Sequence, residues 1–149
     1  KLNLAKEFGA DHTINIKKVP HQERVKVIKE LTEGRGADVV VETAGVAQAI
    51  AEGLDYASRG GTYIETGNFV DTGNVSLNAH RHIAAKNVLI IGNTNHPHTG
   101  YYQAMKMMGK YQNQIPFKKL ITHIFKLDQC EQALKKSFEP ECLKVVFVP

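Results

Sequence analysis

The chain has 149 residues, of which 42% are apolar and 23% charged, a composition typical of a globular domain with its own core. Its net charge of +4 comes from basic residues that are spread along the sequence, which argues against a nucleic-acid or membrane-surface partner. No apolar stretch approaches the roughly 20 residues that span a bilayer, and no signal peptide is visible, so we expect a cytoplasmic protein.

The first part of the sequence predicts two helices with a strand between them. A short amphipathic helix over about residues 2–8 ends at Gly9, and the loose alternation of residues 11–16 favours a short strand. A second helix opens at Pro20 and ends at Gly34. Its apolar face is predicted to contain Val25, Ile28 and Leu31. Its solvated side is predicted to contain Lys17, Lys18, Arg24, Lys26 and Lys29.

The central stretch predicts a strand, a helix and a second strand. Residues 38–43 hold a run of three valines, which is typical of a strand buried on both faces. Residues 46–58 carry apolar side chains at helical spacing, and a glycine pair at 60–61 ends this helix before a second strand at 62–66. Such a βαβ unit has parallel strands joined by a right-handed crossover, so we expect an α/β fold with a parallel sheet.

The ends of these two strands are the candidate ligand site, because open parallel sheets bind ligands beyond the carboxyl ends of their strands. The residues at those ends are Thr43, Ala44 and Gly45 after the first strand, and Thr66, Gly67 and Asn68 after the second. The two glycines would let a flat ligand approach the backbone closely. Turn geometry alone explains them equally well, so both interpretations stay open at this point.

The remaining sequence continues the alternation of helices and strands. Residues 88–91 predict a strand, and a helix follows over about 99–111. This helix carries a stripe of aromatic and sulfur-containing side chains that favours a place in the core, formed by Tyr102, Met105, Met108 and Tyr111. A strand at 121–125, a helix and a closing strand at 145–148 complete the chain. That last helix is predicted to begin with a capping box formed by Asp128 and Glu131.

Candidate catalytic groups are few. Three carboxylates in or beside strands could serve in acid–base chemistry, namely Asp38, Glu42 and Glu65, yet the sequence pairs no nucleophile or histidine with them. Two histidine pairs lack a carboxylate or cysteine at zinc spacing and are predicted to be solvated, namely His80 with His82 and His96 with His98. Cys130 and Cys142 are predicted to be free thiols in a reducing compartment. We therefore expect no catalytic residue and no metal ligand in this chain.

Five segments, in this order, resemble the medium-chain, zinc-type alcohol dehydrogenases, with the polyol and threonine dehydrogenases nearest. They are residues 4–15 (LAKEFGADHTIN), 36–45 (GADVVVETAG), 60–67 (GGTYIETG), 85–92 (AKNVLIIG) and 120–127 (LITHIFKL). The resemblance runs over essentially the whole chain and implies only the carboxyl-terminal portion of such an enzyme. No glycine-rich GxGxxG turn is present.

The resemblance implies a partial Rossmann-like parallel sheet that lacks its first two strands and the glycine-rich turn. Residues 1–91 would be the rest of the nucleotide-binding domain, and residues 92–149 would be the return segment to the catalytic domain. In the family's strand order, 3-2-1-4-5-6, the strand at 38–43 then becomes an exposed apolar edge, which invites dimerisation or strand exchange. The family's own subunits commonly pair near 88–92, so two routes to a homo-oligomer compete.

The resemblance also implies a function. The parent enzyme would transfer a hydride between a small-molecule alcohol and NAD or NADP, with zinc ligands and the residue that selects the ribose outside this chain. The residues that would contact the cofactor are Thr43, Ala44, Gly45, Thr66, Gly67, Asn68, Leu89, Ile91 and Lys144. The chain would supply orientation, would be inactive alone, and would bind NAD(H) weakly or not at all.

Two alternatives remain open at the level of sequence. One is the zinc-free quinone reductase branch of the same superfamily, which differs in the absence of the metal ligands. The other is a free-standing α/β module that binds a partner and catalyses nothing, which would fit the missing phosphate-binding turn.

Overall fold

The computed structural model of the chain describes residues 1–95 and 97–149, which form two compact units. One unit consists of Lys1–Thr13 and His98–Pro149, and the other of Ile14–Pro97. His96, a member of one histidine pair considered above, lies outside the described residues. The assignment of residues 1–91 and 92–149 to two domains of a parent enzyme stays a prediction.

Helices and strands alternate along most of the chain. The helices are α1 (Leu2–Glu7), α2 (His21–Leu31), α3 (Ala47–Tyr56), α4 (Ala79–His82), α5 (His98–Tyr111) and α6 (Cys130–Ser137). The strands are β1 (Ala37–Glu42), β2 (Ala57–Glu65), β3 (Leu89–Gly92), β4 (His123–Lys126) and β5 (Val145–Val148). Short 3₁₀ turns occupy Ala84–Lys86, Phe117–Leu120 and Leu127–Gln129. The expected α/β class is thereby confirmed.

The larger unit is built on a parallel sheet in the order β1-β2-β3. Val41 lies opposite Ile64, Glu42 opposite Glu65, and Ile64 opposite Ile91, so all three strands run in one direction and end at the same edge. The predicted parallel pairing of 38–43 with 62–66 is confirmed. Consequently the segments that follow β1 and β2 are neighbours in space.

The core of this unit lies between α3 and the sheet. Leu54 of α3 and Tyr63 of β2 are the largest fully buried side chains. Gly53 allows their close packing, because a Cβ atom at this position would lie 2.7 Å from the Tyr63 ring. α2 is fastened to α3 by the Arg24 Nη2–Glu52 Oε2 ion pair of 2.8 Å, and Arg24 is 7% exposed. The prediction that Arg24 belongs to the solvated side of α2 is therefore wrong.

β1 is more exposed than its valine run predicts. Val39 and Val41 are 57% and 53% exposed, because β1 is the first strand of the sheet and α3 covers one of its faces. The prediction of burial on both faces is wrong, whereas the exposed apolar edge implied by the family's strand order is what the structure has.

Three local predictions in this unit also differ from the structure. Residues 11–16 form no strand, and α3 ends at Tyr56, ahead of the glycine pair at 60–61 that was predicted to end it. β2 therefore begins at Ala57 and contains Gly60 and Gly61, and the pairing register shifts there, between Ala37 opposite Ala57 and Val39 opposite Thr62. Leu31, predicted to be apolar core, is 47% exposed.

The smaller unit contains a two-stranded parallel sheet of β4 and β5, with His123 opposite Val145. Ala133 of α6 is buried, and Phe8 meets Phe117 edge to face at 6.2 Å between ring centroids. α6 begins after Gln129, whose side chain accepts a hydrogen bond from the Lys126 amide, so the predicted cap at Asp128 is wrong. Cys130 and Cys142 are free, as predicted.

The predicted core stripe of α5 is exposed. Tyr102 is 60% exposed, Met105 64% and Met108 44%. The predicted helix is present, but no element of the described chain covers that face.

Within residues 1–95 and 97–149, no helix combines the length and apolarity that crossing a bilayer requires.

Candidate functional site

Glu42 organises the segment that follows β1. Its carboxylate is 5% exposed, and Oε1 accepts hydrogen bonds from the backbone N–H groups of Ala44 (2.6 Å) and Gly45 (3.1 Å). A buried carboxylate is tolerable only when its lone pairs are satisfied in this way. The turn after β1 is therefore fixed by a side chain of the strand itself.

Hydrogen bonds between Asn68 and Glu65 fix the segment that follows β2. Glu65 Oε1 accepts from the Asn68 backbone N–H (3.1 Å) and from its side-chain amide (2.9 Å), and the other oxygen accepts from the Tyr63 hydroxyl (2.9 Å). The same amide lies 3.4 Å from Glu42 Oε2 and so connects the two segments. Burial raises the pKa of Glu65, but the hydrogen bonds donated by Asn68 and Tyr63 outweigh it and hold that pKa below its ordinary value.

Gly45 and Gly67 let the two segments touch through their backbones. A Cβ atom on Gly45 would lie 2.7 Å from the Gly67 carbonyl oxygen, and one on Gly67 would lie 2.6 Å from the Gly45 nitrogen. Gly45 also has a φ of +69°, which side chains rarely allow. Both glycines thus have a packing reason, and they leave bare backbone at the carboxyl edge of the sheet.

The structure brings most of the predicted site residues to this edge. Thr43, Ala44 and Gly45 lie beside Thr66, Gly67 and Asn68, and the Thr66 N–H donates to the Glu42 carbonyl at 3.2 Å. Leu89 and Ile91 lie on β3, next to β2, and are 57% and 42% exposed. Lys144 belongs to the other unit, where its carbonyl accepts from the Thr122 N–H at 3.0 Å, and its side chain is exposed.

The three carboxylates considered for acid–base chemistry are already engaged. Asp38 is exposed and pairs with Arg35 at 3.3 Å, while Glu42 and Glu65 hold backbone and side-chain donors. Across residues 1–95 and 97–149, no group of three or more His, Cys, Asp or Glu side chains is placed to hold a metal ion. In the part of the chain that the structure describes, the three carboxylates are therefore occupied by structural contacts, and no zinc ligand set is present.

A polar cluster that the sequence did not reveal lies at the end of α3. Asp55 accepts from His21 Nε2 at 3.0 Å and lies 3.4 Å from Nε2 of His82, which is 3% exposed. Lys86 Nζ donates to the carbonyls of Leu54, Asp55 and Ala57 at 2.7, 3.1 and 2.9 Å. The prediction that His82 is solvated is therefore wrong, and nothing in sequence spacing indicates contacts between residues that lie 27 (Asp55 to His82) to 34 (His21 to Asp55) positions apart.

A parallel sheet with a helix packed against it, whose loops meet at one edge, defines the class of open parallel α/β domains. Residues 1–110 match the family model described as zinc-binding dehydrogenase. The chain belongs to the zinc-binding dehydrogenase family, and the resemblance inferred from its five segments is confirmed.

Curated relatives agree with this assignment. The chain is 33% identical over 135 residues to 5-exo-hydroxycamphor dehydrogenase of Pseudomonas putida, with 91% of the chain and 37% of the relative covered. It is 30% identical over 149 residues to L-threonine 3-dehydrogenase of Bacillus subtilis, with 100% of the chain and 41% of the relative covered. The chain therefore spans about two fifths of the length of the relatives that it matches.

Solved structures share the fold. An alcohol dehydrogenase from Thermotoga maritima superposes with a TM-score of 0.92 at 32% identity, and the match covers 99% of this chain and 40% of that one. An alcohol dehydrogenase from Escherichia coli, complexed with NADH, gives a TM-score of 0.81 at 21% identity, with 99% and 41% covered. The second likeness concerns the fold alone.

Proposed function

We propose that this chain is the cofactor-orienting part of an NAD(P)-linked alcohol or polyol dehydrogenase. The observation that carries the proposal is the backbone contact of Gly45 with Gly67 at the carboxyl edge of a parallel sheet, where neither residue contributes a side chain. A planar nicotinamide ring fits such a surface, and open parallel sheets bind their ligands at this edge.

Each predicted residue has a part in this proposal. Thr43, Ala44 and Gly45 would lie beside the ribose and the nicotinamide, and Thr66, Gly67 and Asn68 would face the ring with their backbone. Leu89 and Ile91 would offer backbone groups to the carboxamide, and Lys144 would offer a point charge to the pyrophosphate.

A bound nicotinamide would supply the chemistry, as the acceptor of a hydride from the alcohol. The protein residues of this chain bind and orient the ring, and Glu42 and Glu65 keep the two loops in place because their hydrogen bonds fix both turns. Zinc belongs to this proposal only as a group of the parent family, held by residues outside this chain.

A spectroscopic assay of the complete polypeptide encoded by the gene tests the proposal. We expect NADH or NADPH to form when secondary alcohols, polyols or threonine are oxidised, and we expect a chelator to abolish the activity. Chelator-resistant reduction of quinones by NADPH would instead favour the zinc-free branch. Absence of any nicotinamide-linked turnover would favour a non-catalytic binding module.

We also propose that the protein forms a homo-oligomer in the cytoplasm. The free backbone edge and the exposed valines of β1 support self-association, since unpaired edges invite another strand. The two free thiols, Cys130 and Cys142, support a reducing compartment.

A further inference from the structure

A basic cavity lies at the opposite end of the strands from the loops just described. Its volume is about 430 Å³, which falls in the range of small-molecule sites. Its walls come from the segments that precede or begin β1, β2 and β3. They are lined by Lys29, Gly34, Arg35, Asp38, Ala57, Ser58, Arg59 and Lys86.

The register shift in the sheet shapes this cavity. Between Ala37 opposite Ala57 and Val39 opposite Thr62, β2 carries extra residues that leave the regular ladder. Arg59 stands within this bulge and is exposed, whereas the neighbouring Ser58 is 6% exposed. The bulge thus brings the exposed Arg59 and the buried Ser58 together into the lining of the cavity.

The charges around the cavity are unbalanced. Four cationic side chains face one carboxylate, Asp38, which pairs with Arg35 at 3.3 Å. Within the described ranges, neither Lys29 nor Arg59 makes an ion pair. Unpaired cations that converge on a concave surface create a positive potential that attracts anions.

The side chain of Lys86 adds a positive charge whose position is fixed by hydrogen bonds. Its three donors are all used by the carbonyls of residues 54, 55 and 57, so the ammonium is held in place. The pKa of Lys86 lies below its ordinary value, chiefly because the ammonium is buried. The positive charges of Lys29 and Arg81 lower this pKa further, and the negative charge of Asp55 partly opposes them. A bound anion would reduce this repulsion between like charges.

A second cavity of about 420 Å³ shares Lys29 and Lys86 and adds Arg81, His21 and the carboxylate of Asp55, which pairs with both of them. Lys29 in the last turn of α2 and Lys86 at the end of α3 also complement the negative ends of those helices. That explanation does not extend to Arg35 and Arg59, which lie in no helix.

We propose that this basic cavity binds a small phosphate or polyphosphate anion that carries at least two negative charges. Arg59 and Lys29 would contact the phosphate oxygens, and the fixed ammonium of Lys86 would supply charge at the base. The site is built by residues 29–86 alone and does not depend on the proposed dehydrogenase function.

Titration of the 149-residue chain with inorganic pyrophosphate, followed by amide NMR at constant ionic strength, tests this proposal. We expect saturable shifts at Gly34, Ser58 and Gly61. Arg59→Gln and Lys29→Gln should each weaken binding by about tenfold, the value of one charge-assisted contact. Lys18→Gln removes the same charge from the same unit outside both cavities and should change the affinity less than about twofold.

Equal weakening by all three substitutions would show diffuse attraction and overturn the proposal, as would shifts confined to residues 43–45 and 66–68. The amide spectrum of each variant reports whether it is folded. Because two independent cavity substitutions are used, one misfolded variant leaves the other to decide.

Discussion

The loops that follow β1 and β2 can touch only because residue 67 is a glycine, which has no side chain. An alanine there would put Cβ within 2.6 Å of the Gly45 nitrogen and 2.9 Å of the Thr43 carbonyl carbon, which are backbone atoms that cannot move aside. We expect Gly67→Ala to lower the free energy of unfolding by about 1–3 kcal/mol in urea denaturation.

Gly92→Ala is the matched control, because nothing lies within 4 Å of its added Cβ and its φ is not positive. We expect a change within about 0.5 kcal/mol for this control. Equal effects of the two substitutions would mean that the loops separate readily and that the bare backbone edge is not rigid.

His82 gives the larger unit a pH dependence. Burial lowers its pKa below the ordinary 6.5, with Arg81 and Lys86 adding to the effect and Asp55 opposing it, while His21 also faces Asp55. The unfolded chain therefore binds a proton more readily than the folded one. Stability is fully present above pH 6.5 and is lost as the pH falls from there towards the lowered pKa.

We expect urea denaturation between pH 7 and pH 5 to show this loss, with a slope of at most about 1.4 kcal/mol per pH unit from one proton. His82→Gln should reduce the slope, and the exposed His12→Gln should leave it unchanged. A slope that survives in His82→Gln would assign the effect to other groups.

At the residue scale, sequence reasoning located the loop residues and missed the side chains that fix them. The positions of Gly45 and Gly67 follow from the ends of the two predicted strands. That Glu42 accepts from the amides of Ala44 and Gly45, and that Asn68 connects Glu42 to Glu65, depends on the path of each turn after its strand. Spacing along the sequence does not determine that path.

Among the elements, α5 differs most from its prediction. Helical spacing of tyrosine and methionine gave the correct helix, but burial requires a second surface, and the described chain provides none for Tyr102 and Met105. We expect Met105→Gln to change the free energy of unfolding by less than about 0.5 kcal/mol.

Ala133→Asp, in the same unit, is the contrasting substitution, because it would place an unpaired carboxylate at a position that is 1% exposed. We expect this variant to lose more than about 3 kcal/mol in the same urea denaturation. A comparable loss in Met105→Gln would mean that the helix face is buried in solution.

β1 shows why a valine run indicates a strand but not its burial. β-branched residues favour the extended backbone in any sheet, and only the neighbours on each face decide how exposed the side chains are.

If β1 is the contact in self-association, Val39→Lys should shift the chain towards monomer in light scattering, because a charged edge discourages pairing. Ile90→Lys, on β3, tests the competing edge, and a dimer unaffected by the first substitution but lost with the second would contradict the role of β1.

At the scale of the whole molecule, a fold assembled from five ordered segments proved easier to predict than the site within it. Parallel pairing followed from the strand–helix–strand pattern, and the family assignment followed from motif order, which a 149-residue sequence retains even though the chain covers about two fifths of its relatives. The contacts of a cofactor depend on surfaces from more than one segment. The proposed function therefore depends on a complete nucleotide-binding sheet.

Calorimetric titration with NADH tests this account most directly. The complete polypeptide should bind NADH with micromolar affinity, and the 149-residue chain should bind it weakly or not at all, because the chain holds the orienting loops without a glycine-rich phosphate turn. Micromolar binding by the 149-residue chain alone, or no binding by the complete polypeptide, would contradict the account.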